Sequence, residues 1–291
     1  MAQSKYIRFD WAMKRLLRNK VNFGVLEGLL TTLLGERITI QKLMENSIED
    51  SQDKFSFANM IVTNEKQETF WIEIQNHNEY AYFERTIFDI SKCLYNYITS
   101  KSNCYKARKV YSVNIVYFTL GHGTDIVYHG KTEFRGIHNG ELLELSPFQK
   151  QTFKVNEVSQ LYPEYYILKV NDFNRVAKTP LEEWIYYLNT GDVPEGASAP
   201  GLEEVKERLK LDRMTKTELD AYYRHLDNIV ILRDNIFTER EEGRAEGRAE
   251  GRAEGERIKQ LEIARNLKKL GLNTEAICQA TGLSPQEVED L

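Results

Sequence analysis

Between residues 55 and 75 the chain carries two runs rich in apolar residues, FSFANMIVT and ETFWIEIQ, parted only by the polar NEKQ. Two short runs of β-branched and aromatic residues joined by a few polar ones signal a β-hairpin. Strand alternation puts Trp71, Glu73 and Gln75 on one face and Phe70, Ile72 and Ile74 on the other. A carboxylate on a strand whose reverse side is wholly apolar is a buried-rim or site carboxylate, not a random surface charge. With a three-residue loop, Glu65-Lys66-Gln67, Asn64 opposes Glu68 and Asn59 falls directly across from Glu73. Their Cβ atoms would then be about 4.5–5.5 Å apart. Asn59, Glu73 and Gln75 thus gather on one face of a two-stranded unit.

Helical patterns flank this hairpin. FDWAMKRLLRNK spaces Trp11, Met13, Leu16 and Leu17 for a helix, and VNFGVLEGLLTTLLG continues the pattern until Gly35, placed as its C′ residue. A third helix is expected over YFERTIFDISKCLYNYITSK, with Phe83, Ile87, Ile90, Leu94, Tyr97 and Ile98 on one broad face. KVYSVNIVYFTLG is the most strand-like segment, and DIVYHGKTEFRG and YYILKVNDF add further strands. TPLEEWIYYLNTG reads as a helix with Thr179 as N-cap, Pro180 at N1 and Gly191 at its end. The alternation predicts an α/β fold with a mixed central sheet flanked by helices, followed by a C-terminal helical tail.

The expected divisions are a module over 1–192, a linker and charged helical segment over 193–242, a GRAE-repeat spacer over 243–257, and a small helical element over 258–291. A four-residue period advances 400° per repeat, so no residue type holds one helix face. Glycine at every fourth position costs about 1 kcal/mol relative to Ala, so a semi-flexible, solvated spacer is expected there. A close-packed helical oligomer is the sharper alternative, weakened by the lack of a sustained apolar seam. The final TEAICQATGLSPQEVEDL resembles a helix-turn-helix core, with Ser284 as N-cap and Pro285 at N1. Its second helix carries Glu287, Glu289 and Asp290, which phosphates would repel. This end is read as a protein–protein or intramolecular docking element, and the tail as the route to any homo-oligomer.

Three cysteines among 291 residues, none in a C-x-x-C pair, point to a reducing compartment and give no zinc site. No secretion signal or apolar run of membrane-spanning length is present, so a cytoplasmic protein with no membrane partner is expected. The formal net charge of −5 argues in bulk against a nucleic-acid binder, but it is an uneven average. Residues 1–20 hold six basic residues against Asp10 alone, among them Lys14, Arg15 and Arg18. KSNCYKARK adds Lys101, Lys106, Arg108 and Lys109 without an acid. Both runs flank the hairpin in sequence and are candidate phosphate contacts, or else simply solvated charge runs.

KYIRFDWAMKRLL, the hairpin ending in WIEIQ, the YFERTIFDISKCL helix and VYSVNIVYFTLG occur in an order that resembles the PD-(D/E)XK nuclease superfamily, in its transposase-like, recombination-promoting branch. The resemblance covers roughly residues 5–190, and the GRAE-type tail looks like that branch as well. It implies a restriction-endonuclease-like core and Mg²⁺- or Mn²⁺-dependent cleavage of DNA. It also implies site roles. Glu73 would be a metal ligand, Gln75 would stand where the motif has lysine, and the Ile74 carbonyl would be a further ligand. Arg85 matches a helix arginine of the branch, as a contact to phosphate or Glu73 or as a structural ion pair. Glu27 corresponds to a helix glutamate that completes the metal site in some members, with simple solvation the alternative.

The departure is at position 59, where the pattern places Asp after an Arg-x pair and this chain reads Phe57-Ala58-Asn59. Asn offers one neutral oxygen in place of a charge, which weakens Mg²⁺ binding. The rival reading is therefore a catalytically degenerate DNA-binding or interaction protein on the same fold. Asp10 reads as an N-cap or first-turn acid. His77, His122, His129 and His138 show no metal spacing, and no Gly-rich phosphate loop is present.

Overall fold

In the computed structural model the described residues are 5–44, 57–76, 81–99, 109–173 and 176–291, without the side chains at 57–59, 96–99, 232, 233 and 236. Helices α1 (Phe9–Arg15) and α2 (Phe23–Leu34) open the fold. Gly35 closes α2 at φ 72°, a left-handed conformation that glycine adopts without a Cβ penalty. Strands β1 (Ile40–Met44), β2 (Phe57–Asn64) and β3 (Thr69–Gln75) follow as an antiparallel ladder. The register is the one the short loop dictates: Thr63 pairs with Thr69, and Asn59 pairs with Glu73. The Asn64 carbonyl accepts from the Gln67 N–H at 3.0 Å, with Gln67 itself left-handed at φ 64°.

Helix α3 (Tyr82–Thr99) crosses over to β4 (Val110–Val116), which lies parallel to β3. Strand β5 (Val127–Gly130), helix α4 (Pro147–Phe153) and strand β6 (Glu164–Lys169) complete the sheet in the order β1-β2-β3-β4-β6-β5 among the described residues. Helix α5 (Pro180–Thr190) starts at the expected N-cap Thr179, which forms a capping box with Glu182, each side chain accepting from the other's backbone N–H. Helix α6 is Leu202–Arg208. The fold is α/β, with a mixed sheet flanked by helices and a helical C-terminal end.

Most of the apolar core lies on one side of the sheet, where Phe70, Ile72 and Ile74 meet Phe9, Trp11, Leu26, Leu29, Trp184 and Tyr187. Each such burial is worth roughly 1.5–3 kcal/mol. The other side is thinner: Trp71 packs with Ile90, Cys93 and Val110. Helix α3 departs from expectation here. It buries Tyr82, Thr86, Ile90 and Cys93, and leaves Phe83 and Ile87 54% and 58% exposed. The buried stripe is rotated because the first turn of α3 directs Tyr82 and Arg85 at the sheet. Tyr97 and Ile98 carry no described side chains.

The compact unit runs to Ile229, past the boundary expected at 192. Leu202, Val205, Leu209 and Tyr222 are buried in the main core, although the sequence around them is highly charged. Their charged neighbours form the outer faces of amphipathic helices. Helix α7 (Lys216–Lys269) is continuous through the GRAE repeat, whose residues are exposed. A second unit, Val230–Leu291, has its own small core of Ala264, Ile277, Leu283 and Val288, built with α8 (Thr274–Thr281) and α9 (Pro285–Glu289). Ser284 and Pro285 start α9 as expected, with a full capping box. No described helix is long and apolar enough to cross a membrane.

Candidate active site

Strand β3 is buried along its whole length because layers cover both of its faces. Side-chain alternation then decides what each layer receives: aliphatic residues go to the main core, and Trp71, Glu73 and Gln75 go toward α3. Glu73 is 4% exposed and Gln75 1%. A carboxylate so enclosed requires compensation. Arg85, one turn into α3, supplies it. Its Nη2 donates to Glu73 Oε1 and, at 2.8 Å, to Gln75 Oε1, while Trp71 Nε1 donates to Glu73 Oε2 at 3.3 Å.

The polar row continues across the sheet. Asn114 on β4 pairs in register with Glu73, and its Nδ2 donates to the Ser112 Oγ at 2.9 Å and to the Tyr166 carbonyl at 3.3 Å. Buried polar atoms here without a hydrogen-bond partner among the described residues include Gln75 Nε2, Asn114 Oδ1 and the Tyr82 hydroxyl. Burial, aided by the Glu73 charge, pushes the Tyr82 phenol well above its usual range, so it stays protonated. Asn114 and Tyr82 are absent from the sequence reading, and Trp71 enters it only as a neighbour on the face of Glu73. Their one legible signal is Asn114, a lone amide within the apolar VYSVNIV.

Asn59 stands directly opposite Glu73 on β2, with its side chain outside the described residues. The Ile74 side chain lies in the main core. Glu27 is engaged elsewhere. Its Oε1 accepts the Ile40 N–H at 2.7 Å, and Ile40 pairs with Asn64, five residues along β2 from Asn59. At about 3.3 Å per residue that is roughly 16 Å from the Glu73 row. In this structure Glu27 brackets α2 to β1. Among the described residues no three His, Cys, Asp or Glu stand together as a metal cluster.

Lys109 is likewise engaged. Its Nζ donates to the Tyr162 carbonyl at 2.8 Å and pairs with Glu164, beside Val110 at the far end of β4 from Asn114. It is a structural cation. Lys106 and Arg108 lie outside the described residues. On α1, Arg15 is exposed, as is Arg18 just beyond the helix, while burial draws the partly enclosed Lys14 below its usual range. These three belong to the α1 layer, not to the face that carries Glu73.

Asp10 is no ordinary helix-start acid. It is 1% exposed and accepts from Arg8 Nε at 3.2 Å, the Trp11 N–H at 2.9 Å and, more loosely, Asn76 Nδ2 at 3.5 Å. His225 Nε2 on α7 lies 3.2 Å from its other oxygen. Burial alone would raise the Asp10 pKa, but the Arg8 charge and the His225 bond hold it well below the usual carboxylate range. Asn76 adjoins Gln75, so this cluster braces the end of β3 from behind the sheet.

Comparison with known proteins places this arrangement. A family model described as "PD-(D/E)XK nuclease family transposase" matches residues 7–230. No curated protein and no solved structure gives a significant match.

Proposed function

The chain belongs to the PD-(D/E)XK nuclease family of transposases, and from that premise we propose that it acts on DNA as a divalent-metal-dependent endonuclease that promotes recombination. The observation that carries this reading is the pairing of Asn59 with Glu73 on adjacent strands, with Gln75 on the same face of β3 as Glu73.

The donor chemistry fits a hard cation in kind. Glu73, Asn59 and the Ile74 carbonyl offer oxygen, as Mg²⁺ and Mn²⁺ require, and Asn114 Oδ1 adds a buried oxygen without a donor in the same row. These residues would hold the metal, which when bound would activate water and neutralise charge on the scissile phosphate. Gln75 would orient water or a phosphate oxygen through Nε2, without the positive charge a lysine would bring. Trp71, Ile90 and Cys93 keep solvent from the inner side of the carboxylate. DNA is the partner in this reading.

The test is Mg²⁺- or Mn²⁺-dependent cleavage of DNA by the parent chain, Asn59→Asp and Glu73→Ala. Weak parental cleavage, enhanced by Asn59→Asp and abolished by Glu73→Ala, is expected. Robust cleavage that survives Glu73→Ala would overturn the assignment of the site. One observation favours a second reading, a DNA-binding protein that no longer cleaves: among the described residues Asn59 leaves Glu73 as the one carboxylate in this row, and Arg85 pairs with it. Retained DNA binding with no cleavage, even at millimolar Mn²⁺, would decide for that reading.

A further inference from the structure

We propose that the Arg85 guanidinium and a divalent cation are alternative occupants of one oxygen cluster, so that Arg85 must withdraw from Glu73 and Gln75 before a metal can bind. The inference rests on the metal-dependent reading above and concerns how that site is gated.

Three observations lead to it. First, Arg85 Nη2 bridges Glu73 Oε1 and Gln75 Oε1, and so takes up the oxygens that face one another along β3. A Mg²⁺ ion sits about 2.0–2.1 Å from its ligand oxygens, so an ion bound between Glu73 Oε1 and Gln75 Oε1 would stand where Arg85 Nη2 now does. Second, the charge count is short. With Asn at position 59, one carboxylate faces a guanidinium and would also have to face a divalent ion. Repulsion between cations a few ångströms apart is strong in so enclosed a place. A second carboxylate at 59 would relieve that conflict, and this chain lacks it. Third, exposure is asymmetric. The Arg85 side chain is 22% exposed and Glu73 is 5% exposed, so the arginine can swing toward solvent while the carboxylate stays in place.

The oxygen that would complete the cluster is already positioned. Asn114 Nδ2 is turned to Ser112 and to Tyr166 on β6, which fixes the amide's orientation and leaves Oδ1 without a donor beside Glu73 in register. Such an oxygen is a poor partner for the carboxylate and a good one for a cation. Arg85 therefore acts as a built-in counter-ion that keeps the metal-free site folded and sets a threshold for metal binding.

The experiment is a MnCl₂ titration of the full chain, with free Mn²⁺ read by electron paramagnetic resonance, for the parent, Arg85→Gln, Arg85→Lys and Glu73→Gln. Loss of a hydrogen-bonded charged competitor should tighten Mn²⁺ binding in Arg85→Gln by about tenfold or more. Arg85→Lys keeps the charge but loses the fork and should fall between the two. It also supplies the answer if the glutamine variant does not fold. Glu73→Gln should bind no Mn²⁺. Equal Mn²⁺ affinity in the parent and both Arg85 variants would overturn the gating inference while leaving the metal site standing. No Mn²⁺ bound by any variant would overturn the metal-dependent reading and this inference with it.

Discussion

His225 Nε2 lies 3.2 Å from Asp10 Oδ2, although 215 positions separate the two residues. This contact joins the start of the long helix α7 to helix α1, behind the strand that carries Glu73. The Asp10 pKa is lower in the folded chain than the ordinary value near 3.9. Its stabilising effect is therefore complete above that value and is lost as pH falls below it. Asp10→Asn should cost about 3 kcal/mol at pH 7, because Arg8 loses its buried counter-charge. The variant should also flatten the acid limb of stability. Urea denaturation followed from pH 7 to pH 3 checks both effects, and an unchanged acid limb would remove Asp10 as its source.

Glu73 and Arg85 should be energetically coupled. Because Arg85 is partly exposed, the coupling should fall below that of a fully buried pair, at about 1–2 kcal/mol. A double-mutant cycle with Glu73→Gln and Arg85→Gln measures it by chemical denaturation. Additive losses would mean that the ion pair contributes nothing to folding.

Gly28 marks a close approach of backbone to backbone. A Cβ there would lie 2.3 Å from the Pro200 carbonyl oxygen and 2.4 Å from Gly201 Cα. Both are backbone atoms, so no side chain can turn aside. Gly28→Ala should destabilise by about 3 kcal/mol or more, despite its better helix propensity. Thermal unfolding by circular dichroism reads the loss directly.

The core also fixes where the chain can be cut. Ending it at Gly201 removes Leu202, Val205, Leu209 and Tyr222 from the main core and should yield an insoluble or unfolded fragment. Ending it at Ile229 keeps the compact unit intact. Light scattering and proton NMR dispersion of the two fragments should separate sharply, and a folded 1–201 fragment would contradict this account.

The GRAE repeat offers the opposite case to Gly28. A Cβ at Gly243, Gly247, Gly251 or Gly255 would meet nothing within 4 Å. Each Gly→Ala change should stabilise the helix by about 1 kcal/mol, with greater ellipticity at 222 nm and a higher melting temperature. Arg244–Glu241 and Arg252–Glu256 pairs are exposed and contribute little.

Much of the fold was legible in the residues. Gly35, Thr179 and Ser284 mark helix ends through local stereochemistry and hydrogen bonds to near neighbours, which the structure reproduces. The charged stretch after Gly201 was harder to read. Leu202, Val205 and Tyr222 are too widely spaced among Glu, Lys and Arg to announce a core; their burial comes from the packing of α6 on α2 and of Tyr222 on Trp11 of α1. The rotation of α3 was hidden for a similar reason. Its apolar residues cover most of its circumference, so periodicity alone could not choose which stripe faces the sheet.

The sequence by itself determined the hairpin, its register and the face shared by Glu73 and Gln75. Those follow from a period of two and a loop of three residues, which are properties of consecutive positions. Tertiary structure alone decided the partners. It chose Glu73 among the contacts the resemblance left open for Arg85, and it sent Lys109 to Glu164, Glu27 to the Ile40 backbone and His225 to Asp10. A charged side chain that is buried must find its compensating group, and which group lies within reach depends on how distant elements pack, not on the spacing of residues along the chain.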